Sequence, residues 1–320
     1  MNPTSHSGET DLPAISIIMP CYNGAQTIRD SISSVQAQTL SDWELIVVDD
    51  GSKDESADVV GSIDDSRVRL VVQSNGGSAN ARNHGLRQAR GRYLAFLDAD
   101  DTWDPSFLDK MLTALDPHED AVLAYCGWQN LGVEGGRGNP FIPPDYDPLD
   151  RADLLLGGCR WPIHGVLVKR DAVTEVGGFD EGLQASVDYD LWLRIASHGR
   201  LILVPEVLAF YQHHEGEQIT KNKLRVALNH HRAQQKFLHE NPATVARLGK
   251  QRVRELVVGE LLHRAYACYW ARDLEAARAL FRKVMRAGYG RPKDWLYMLP
   301  ALLPYAMHAW LLGKRDSSNR

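Results

Sequence analysis

Four short apolar runs, each followed by polar residues, constrain this chain more than any other feature. They occupy residues 15–19, 43–48, 68–72 and 93–97. Runs of this length, rich in Ile, Val and Leu and bounded by turn residues, read as buried strands. Between them the apolar spacing becomes helical. Ile28, Ile32 and Val35 mark one helix, and two more are expected at about 55–60 and 79–89. Pro20 is expected to stop the first strand. Strands alternating with helices imply an α/β fold with a mostly parallel, doubly wound sheet. Right-handed crossovers then bring the strand C-terminal ends to one edge, where such sheets bind ligands.

The residues just past those strands carry the chemistry. Tyr22-Asn23 follow the first run, Asp49-Asp50-Gly51-Ser52 the second, and Asp98-Ala99-Asp100-Asp101 the fourth. Clustered carboxylates suit Mg²⁺ or Mn²⁺, which take oxygen ligands and share them with substrate phosphates. An Asp-x-Asp alone is more often a turn or a helix cap. Three strand ends with suitable groups point instead to an enzyme that handles a nucleoside diphosphate.

Farther along, residues 130–160 are rich in Gly and Pro and read as a long loop. A strand is expected at 164–169, a helix at 187–198 carrying Asp188 and Asp190, and a short strand at 201–204. From about residue 221 helix formers dominate, with amphipathic helices expected at 243–265 and 273–287. The apolar stretch 295–312 is interrupted by Pro300, Pro304 and His308 and is marginal as a membrane span. It reads either as an interfacial helix, with Trp295, Tyr297, Tyr305 and Trp310 between basic flanks, or as a helix docked on its neighbours.

Charge divides the chain in the same place. Residues 1–220 hold 16 Lys and Arg against 34 Asp and Glu, a net −18; residues 221–320 hold 20 against 7, a net +13. The basic part could meet anionic lipid. Nucleic acid is not expected, since no recognised module accompanies the charge. Cys21, Cys126, Cys159 and Cys268 form no CxxC pair, which argues against a zinc or disulfide framework and for a reducing compartment. Residues 1–13 lack an apolar core of signal-peptide type and read as a disordered tail.

Several ordered motifs carry a resemblance. They are Ile15-Ser-Ile-Ile-Met-Pro-Cys-Tyr-Asn-Gly24, Leu45-Ile-Val-Val-Asp-Asp-Gly-Ser52, Ala81-Arg-Asn-His-Gly85, Gly91-Arg-Tyr-Leu-Ala-Phe-Leu-Asp-Ala-Asp-Asp101, Val176-Gly-Gly-Phe-Asp180 and Val187-Asp-Tyr-Asp-Leu-Trp192. Over residues 14 to about 220 the chain resembles the inverting family 2 glycosyltransferases of GT-A fold, of the non-processive kind that builds bacterial surface polysaccharide. The resemblance implies a catalytic domain at 14–220 and a separate basic helical region at 221–320.

It also implies roles. Pro20 and Tyr22 match the loop that walls the nucleotide base, where an aromatic ring offers a stacking face. Asp50 matches the carboxylate that accepts the uracil N–H, with Asp49 structural. Arg82 falls where a cation lies near the base or diphosphate; a surface helix arginine is the plainer reading. Asp98 and Ala99 match nucleotide contacts, and Asp100 matches the metal ligand. Asp101 is expected to orient its neighbours or cap the next segment. His214 matches a late histidine that ligates the metal, with His213 as the alternative. Asp188 matches the general base, with Val187 where the family usually has Glu; Asp190 is the rival base, and a helix N-cap is the plainer reading for Asp188. His164 could line an acceptor pocket, although a structural histidine is the simpler reading.

The resemblance thus implies metal-dependent (Mn²⁺ or Mg²⁺) inverting transfer of a sugar from a UDP-linked donor to a saccharide or lipid-linked acceptor. The place expected is the cytoplasm, and the basic C-terminal region adds the option of peripheral contact with the inner face of the membrane. The competing reading is a non-catalytic nucleotide-sugar sensor or scaffold. Processive synthase is disfavoured because no Gln-x-x-Arg-Trp motif is present.

Overall fold

The computed structural model describes residues 12–133, 135–213 and 219–318. The first seven elements follow the expected alternation: β1 (Ile15–Cys21), α1 (Ile28–Gln36), β2 (Trp43–Asp49), α2 (Ser56–Gly61), β3 (Val68–Val72), α3 (Ser78–Gln88) and β4 (Tyr93–Phe96). Then come β5 (Thr102–Trp103), α4 (Phe107–Leu115), β6 (Ala121–Leu131), α5 (Arg151–Leu156), β7 (Val166–Lys169), α6 (Arg170–Glu175), α7 (Val187–Ile195) and β8 (Arg200–Gln212). Helices complete the chain: α8 (Lys223–Glu240), α9 (Pro242–Leu248), α10 (Lys250–Trp270), α11 (Leu274–Arg286), α12 (Pro292–Met298) and α13 (Tyr305–Ser318).

Packing divides these into two compact units. The first holds one sheet in the order β3-β2-β1-β4-β7-β6-β8-β5. β3, β2, β1 and β4 run parallel, as does β8 against β6. β7 is antiparallel to both neighbours, and β5 is antiparallel to β8. The sheet is therefore mixed, with its parallel half built from the four runs read in the sequence. Alternate residues of each strand serve opposite faces. Ile15, Ile17, Met19, Leu45 and Val47 join a core with Ile28, Ile32 and Val35 of α1 and Phe107 and Met111 of α4. Ile46 and Val48 meet Ala81 of α3 on the other face. A Cβ on Gly85 would lie 2.6 Å from Ile18 Cγ2, so only glycine lets α3 approach β1 this closely.

Pro20 does not end β1. It pairs in register with Val48, and the strand runs on to Cys21. Ile18 O accepts from Leu97 N on the β4 side and Cys21 O from Asp50 N on the β2 side, so the Pro20 nitrogen faces the β4 side. Pairing with β4 stops at Ile18–Phe96. The missing N–H thus falls where no partner strand remains. One buried charge inside β2 is fully engaged. Burial would raise the pKa of Glu44, but Arg90 and Ser16 outweigh it and hold it below the usual range.

Other expectations need correction. The region 130–160 is not one loop: β6 reaches Leu131, Phe141 bridges back to Trp128, and α5 comes after it. The short strand at 201–204 is the start of the 13-residue β8. The helix expected at 243–265 is split at Gly249, which has φ +80°. The tail at 1–13 lies almost wholly outside the described residues.

The second unit is helical, and it is not confined to residues beyond 220. It also takes in residues 148–160 and 180–197, hence α5 and α7. Tyr189 Oη of α7 donates to Leu155 O and Gln234 Nε2 of α8 donates to Leu156 O, both at 2.7 Å. Arg247 pairs with Asp150, and Arg252 pairs with Asp153 at 2.7 Å. Leu261, Ala265, Ala277, Leu280, Phe281 and Met298 form this unit's core. Between α10 and α11, Asp273 accepts from Ala276 N at 3.1 Å and caps the second helix. No described helix is long and apolar enough to cross a membrane.

Candidate active site

Because β1, β2 and β4 are parallel neighbours, their C-terminal ends share one edge. Side chains from one strand end bind the backbone of the next. Asn23 N donates to Ser52 Oγ at 2.9 Å, and Asn23 Oδ1 accepts from Lys53 N at 2.8 Å. Gly24 N donates to Ser56 Oγ at 2.9 Å. Asn23 holds φ +52° to do this. Tyr22, next to Asn23, is 48% exposed.

The two adjacent carboxylates are both buried and do different work. Asp49 Oδ1 accepts from Ser52 N at 2.7 Å and closes its own turn. Asp50 Oδ1 accepts from Gly76 N at 2.7 Å and Gln73 Nε2 at 2.8 Å, while Oδ2 accepts from Gly77 N at 2.7 Å. The carboxylate expected at the base therefore also builds the 75–77 turn. It keeps acceptor capacity, since each oxygen has two lone pairs. Gln73 extends the network to Asn80 at 2.8 Å and to His84 Nδ1 at 2.7 Å. Sequence reasoning gave Gln73 no role, since a lone Gln after a strand carries no spacing signal.

Arg82 is not a surface arginine. It is 5% exposed and pairs with Asp98. Its guanidinium lies 5.7 Å from the centroid of the Phe179 ring, and Phe179 meets Phe96 edge-on at 5.2 Å. Asn83 clamps the Phe179 backbone in both directions at 2.9 Å. The Val-Gly-Gly-Phe segment thus supports the arginine that orients Asp98.

Within residues 98–101 exposure separates the roles. Asp98 and Asp100 are partly exposed, Ala99 is buried, and Asp101 is wholly buried. Asp101 Oδ1 accepts from Gln212 N at 3.0 Å, and Oδ2 lies 3.1 Å from His164 Nδ1. Burial pushes Asp101 up to about 6 despite the histidine. Burial would lower His164, but Asp101 raises it above its ordinary value. His164 O accepts from Trp103 Nε1 at 2.6 Å. Both are internal framework, so His164 is structural and Asp101 orients its neighbours.

Pairing of β5 with β8 brings the end of β8 next to this turn. His213 N donates to Leu131 O at 2.9 Å, and His213 Nε2 lies 3.4 Å from Asn130 Oδ1. His214, the expected metal ligand, lies outside the described residues. Among the described residues no three His, Cys, Asp or Glu side chains form a ready-made metal cage. The partly exposed carboxylate of Asp100 nonetheless fits a hard cation of the Mg²⁺ type, which needs only one or two carboxylates plus substrate phosphates.

Asp188 sits in the helical unit, at the second position of α7, partly exposed. It is not the N-cap; Ser186 is, at φ +56°. Asp190 is buried and its Oδ2 accepts from Arg194 Nε at 3.0 Å and Nη2 at 2.5 Å. The rival base is thus committed to its own helix.

A sequence profile described as glycosyl transferase family 2 matches residues 16–152. The putative teichuronic acid biosynthesis glycosyltransferase TuaG of Bacillus subtilis is 36% identical over 192 residues, which is 58% of this chain and 73% of TuaG. The chain belongs to glycosyltransferase family 2. An uncharacterized glycosyltransferase of Rickettsia typhi is 31% identical over 64% of this chain and 65% of its own length. A Rickettsia felis relative is 35% identical, but the match spans 31% of it. The chain therefore spans between about a third and two thirds of these curated Rickettsia relatives. Among solved structures, Staphylococcus aureus TarS 1–349 in complex with UDP-GlcNAc aligns over 87% of this chain and 93% of its own, at TM-score 0.55 and 17% identity. The mannosyltransferase PcManGT of Pyrobaculum calidifontis, in complex with GDP-Man and Mn²⁺, covers 94% of this chain and 84% of its own at TM-score 0.55 and 21% identity. At such identities the likeness is one of fold, and it agrees with the GT-A architecture expected of a family 2 transferase.

Proposed function

We propose that this family 2 protein transfers a sugar from a nucleoside-diphosphate donor, UDP-linked, to a hydroxyl of a saccharide or lipid-linked acceptor, with inversion. The observation that carries the reading is the shared edge of β1, β2 and β4, where Tyr22, Asp50, Asp98 and Asp100 follow three parallel strands. Tyr22 offers a face for the base and Asp50 an acceptor for an imide N–H. The TarS ligand UDP-GlcNAc supports a uridine donor.

Asp100, with His214, would hold Mg²⁺ or Mn²⁺, and Asp98 would contact the nucleotide; when bound, the ion would offset negative charge on the departing diphosphate. The Mn²⁺ and GDP-Man ligands of PcManGT support metal use. Asp188 takes the proton of the acceptor hydroxyl as its oxygen bonds to the anomeric carbon. The bond from that carbon to the diphosphate oxygen breaks, and the nucleoside diphosphate leaves from the opposite face. Arg82 holds Asp98 in place throughout. The place of action is the cytoplasmic side of the membrane, and the four cysteines, all free, suit that reducing compartment.

The deciding measurement is a donor screen by thermal shift and slow hydrolysis, using UDP-, GDP- and dTDP-sugars with and without Mn²⁺. A Mn²⁺-dependent shift and turnover with a UDP-sugar is the expected result. Response to GDP-sugars alone would overturn the uridine assignment. Binding without turnover to any acceptor would favour a non-catalytic sensor.

A further inference from the structure

The last segment of the helical unit carries two rows of side chains with a period of three. Trp295, Met298 and Ala301 form an inner row; Met298 and Ala301 are fully buried in the core with α10 and α11. Leu296, Leu299 and Leu302 form an outer row, exposed by 67%, 48% and 61%. The period arises because residues 299–302 continue α12 as a 3-10 turn, where i and i+3 eclipse. Tyr305, Met307 and Trp310 of α13 continue the exposed apolar set, while His308 is buried. Exposure of many large apolar side chains along one short segment marks an interaction site.

The segment is held in this orientation. From α11, Arg278 Nη2 donates to Leu303 O at 2.7 Å and Arg282 Nε donates to Ala301 O at 2.8 Å. Arg278 Nη1 also lies 3.2 Å from His308 Nδ1. Two arginines thus fix the backbone so that the inner row cannot rotate outward. Arg286 and Lys293 are exposed cations close to the row in sequence, and Arg291, also exposed, pairs with Asp294 at 3.5 Å. The few acids nearby are engaged locally: Asp273 and Asp294 cap helices and Glu260 pairs with Arg264.

We infer that this face, Leu296 to Trp310 together with Arg286 and Lys293, docks on the surface of an anionic lipid bilayer. Aliphatic and aromatic side chains enter the headgroup boundary while the cations meet lipid phosphates. The net +13 of residues 221–320 opposes pairing of two such faces and favours a negatively charged partner. No described helix is long and apolar enough to cross a membrane, so these helices lie on it. The inference is independent of the donor chemistry.

The test is co-sedimentation of the full chain with vesicles of phosphatidylcholine alone and with about one third phosphatidylglycerol. Binding to the anionic vesicles, weakened several-fold by high salt, is expected. The double variant Leu296→Ser, Leu302→Ser and the single variant Lys293→Glu should each lose binding, the former by about tenfold or more, with melting and donor hydrolysis unchanged. Absence of binding to anionic vesicles, or undiminished binding by both variants, overturns the inference. Concentration-dependent dimers that the double variant dissolves, without vesicle binding, would assign the face to a second copy instead.

Discussion

Arg82, from the middle of α3, pairs with Asp98 at the end of β4, with the arginine buried and the carboxylate partly open. The arginine is thus a fixed countercharge behind the carboxylate expected to meet the nucleotide. Replacing it with Met keeps the volume beside Phe179 but leaves Asp98 unpaired. The expected cost is about 2 kcal/mol in urea denaturation, below the full value for a buried pair because water reaches Asp98. Donor KM should rise more than kcat falls. An unchanged KM would remove Arg82 from donor binding.

Asp50 holds two backbone donors of the 75–77 turn and the side chain of Gln73. Asp50→Ala leaves Gly76 N, Gly77 N and Gln73 Nε2 without their acceptor. We expect a loss of roughly 2 kcal/mol or more, read as a lower urea midpoint at constant m. Discrimination between UDP- and GDP-sugars should weaken in the surviving fold. Retained discrimination would confine Asp50 to the turn.

Asp188 and Asp190 separate cleanly. Asp188→Asn should lower kcat by about 10²–10⁴ with donor affinity kept, as for loss of a general base. Asp190→Asn should lower the melting temperature through Arg194 and alter kcat far less. The reverse ranking would make Asp190 the base.

The helical unit should be acid-sensitive. His230 and His231 are buried, and burial lowers their pKa to about 2 and about 4. His230 also faces Arg264 and stacks on Tyr189 at 3.7 Å, and His231 faces Lys283. In the unfolded chain each takes a proton near pH 6.5, while the folded protein does not. The unfolded state therefore binds more protons below that pH. Stability is full above about 6.5 and falls by up to about 1.4 kcal/mol per pH unit per imidazole below it. For His231 the fall ends near pH 4; for His230 it continues toward pH 2. Urea midpoints measured from pH 7.5 to 4.5 check this, and His231→Gln should flatten the slope.

The parallel half of the fold was legible because its signals are local. Each run in β1 to β4 is long enough to declare itself, and Ile28, Ile32 and Val35 declare the face of α1. The strand-end residues Tyr22, Asp50, Asp98 and Asp100 follow from the same pattern, since a parallel sheet puts those ends together. Tertiary structure alone decided the rest. Pro20 stays in a strand because its nitrogen points past the end of β4. Asp101 is framework because His164 and Gln212, 63 and 111 residues away, close over it. Arg82 is buried because Phe179 packs beneath it. Residues 148–160 and 180–197 leave the sheet for the helices through Tyr189, Gln234, Arg247 and Arg252. Periodicity records which face a residue must bury; it does not record which distant group covers that face, and that partner decides whether a charge is exposed chemistry or internal structure.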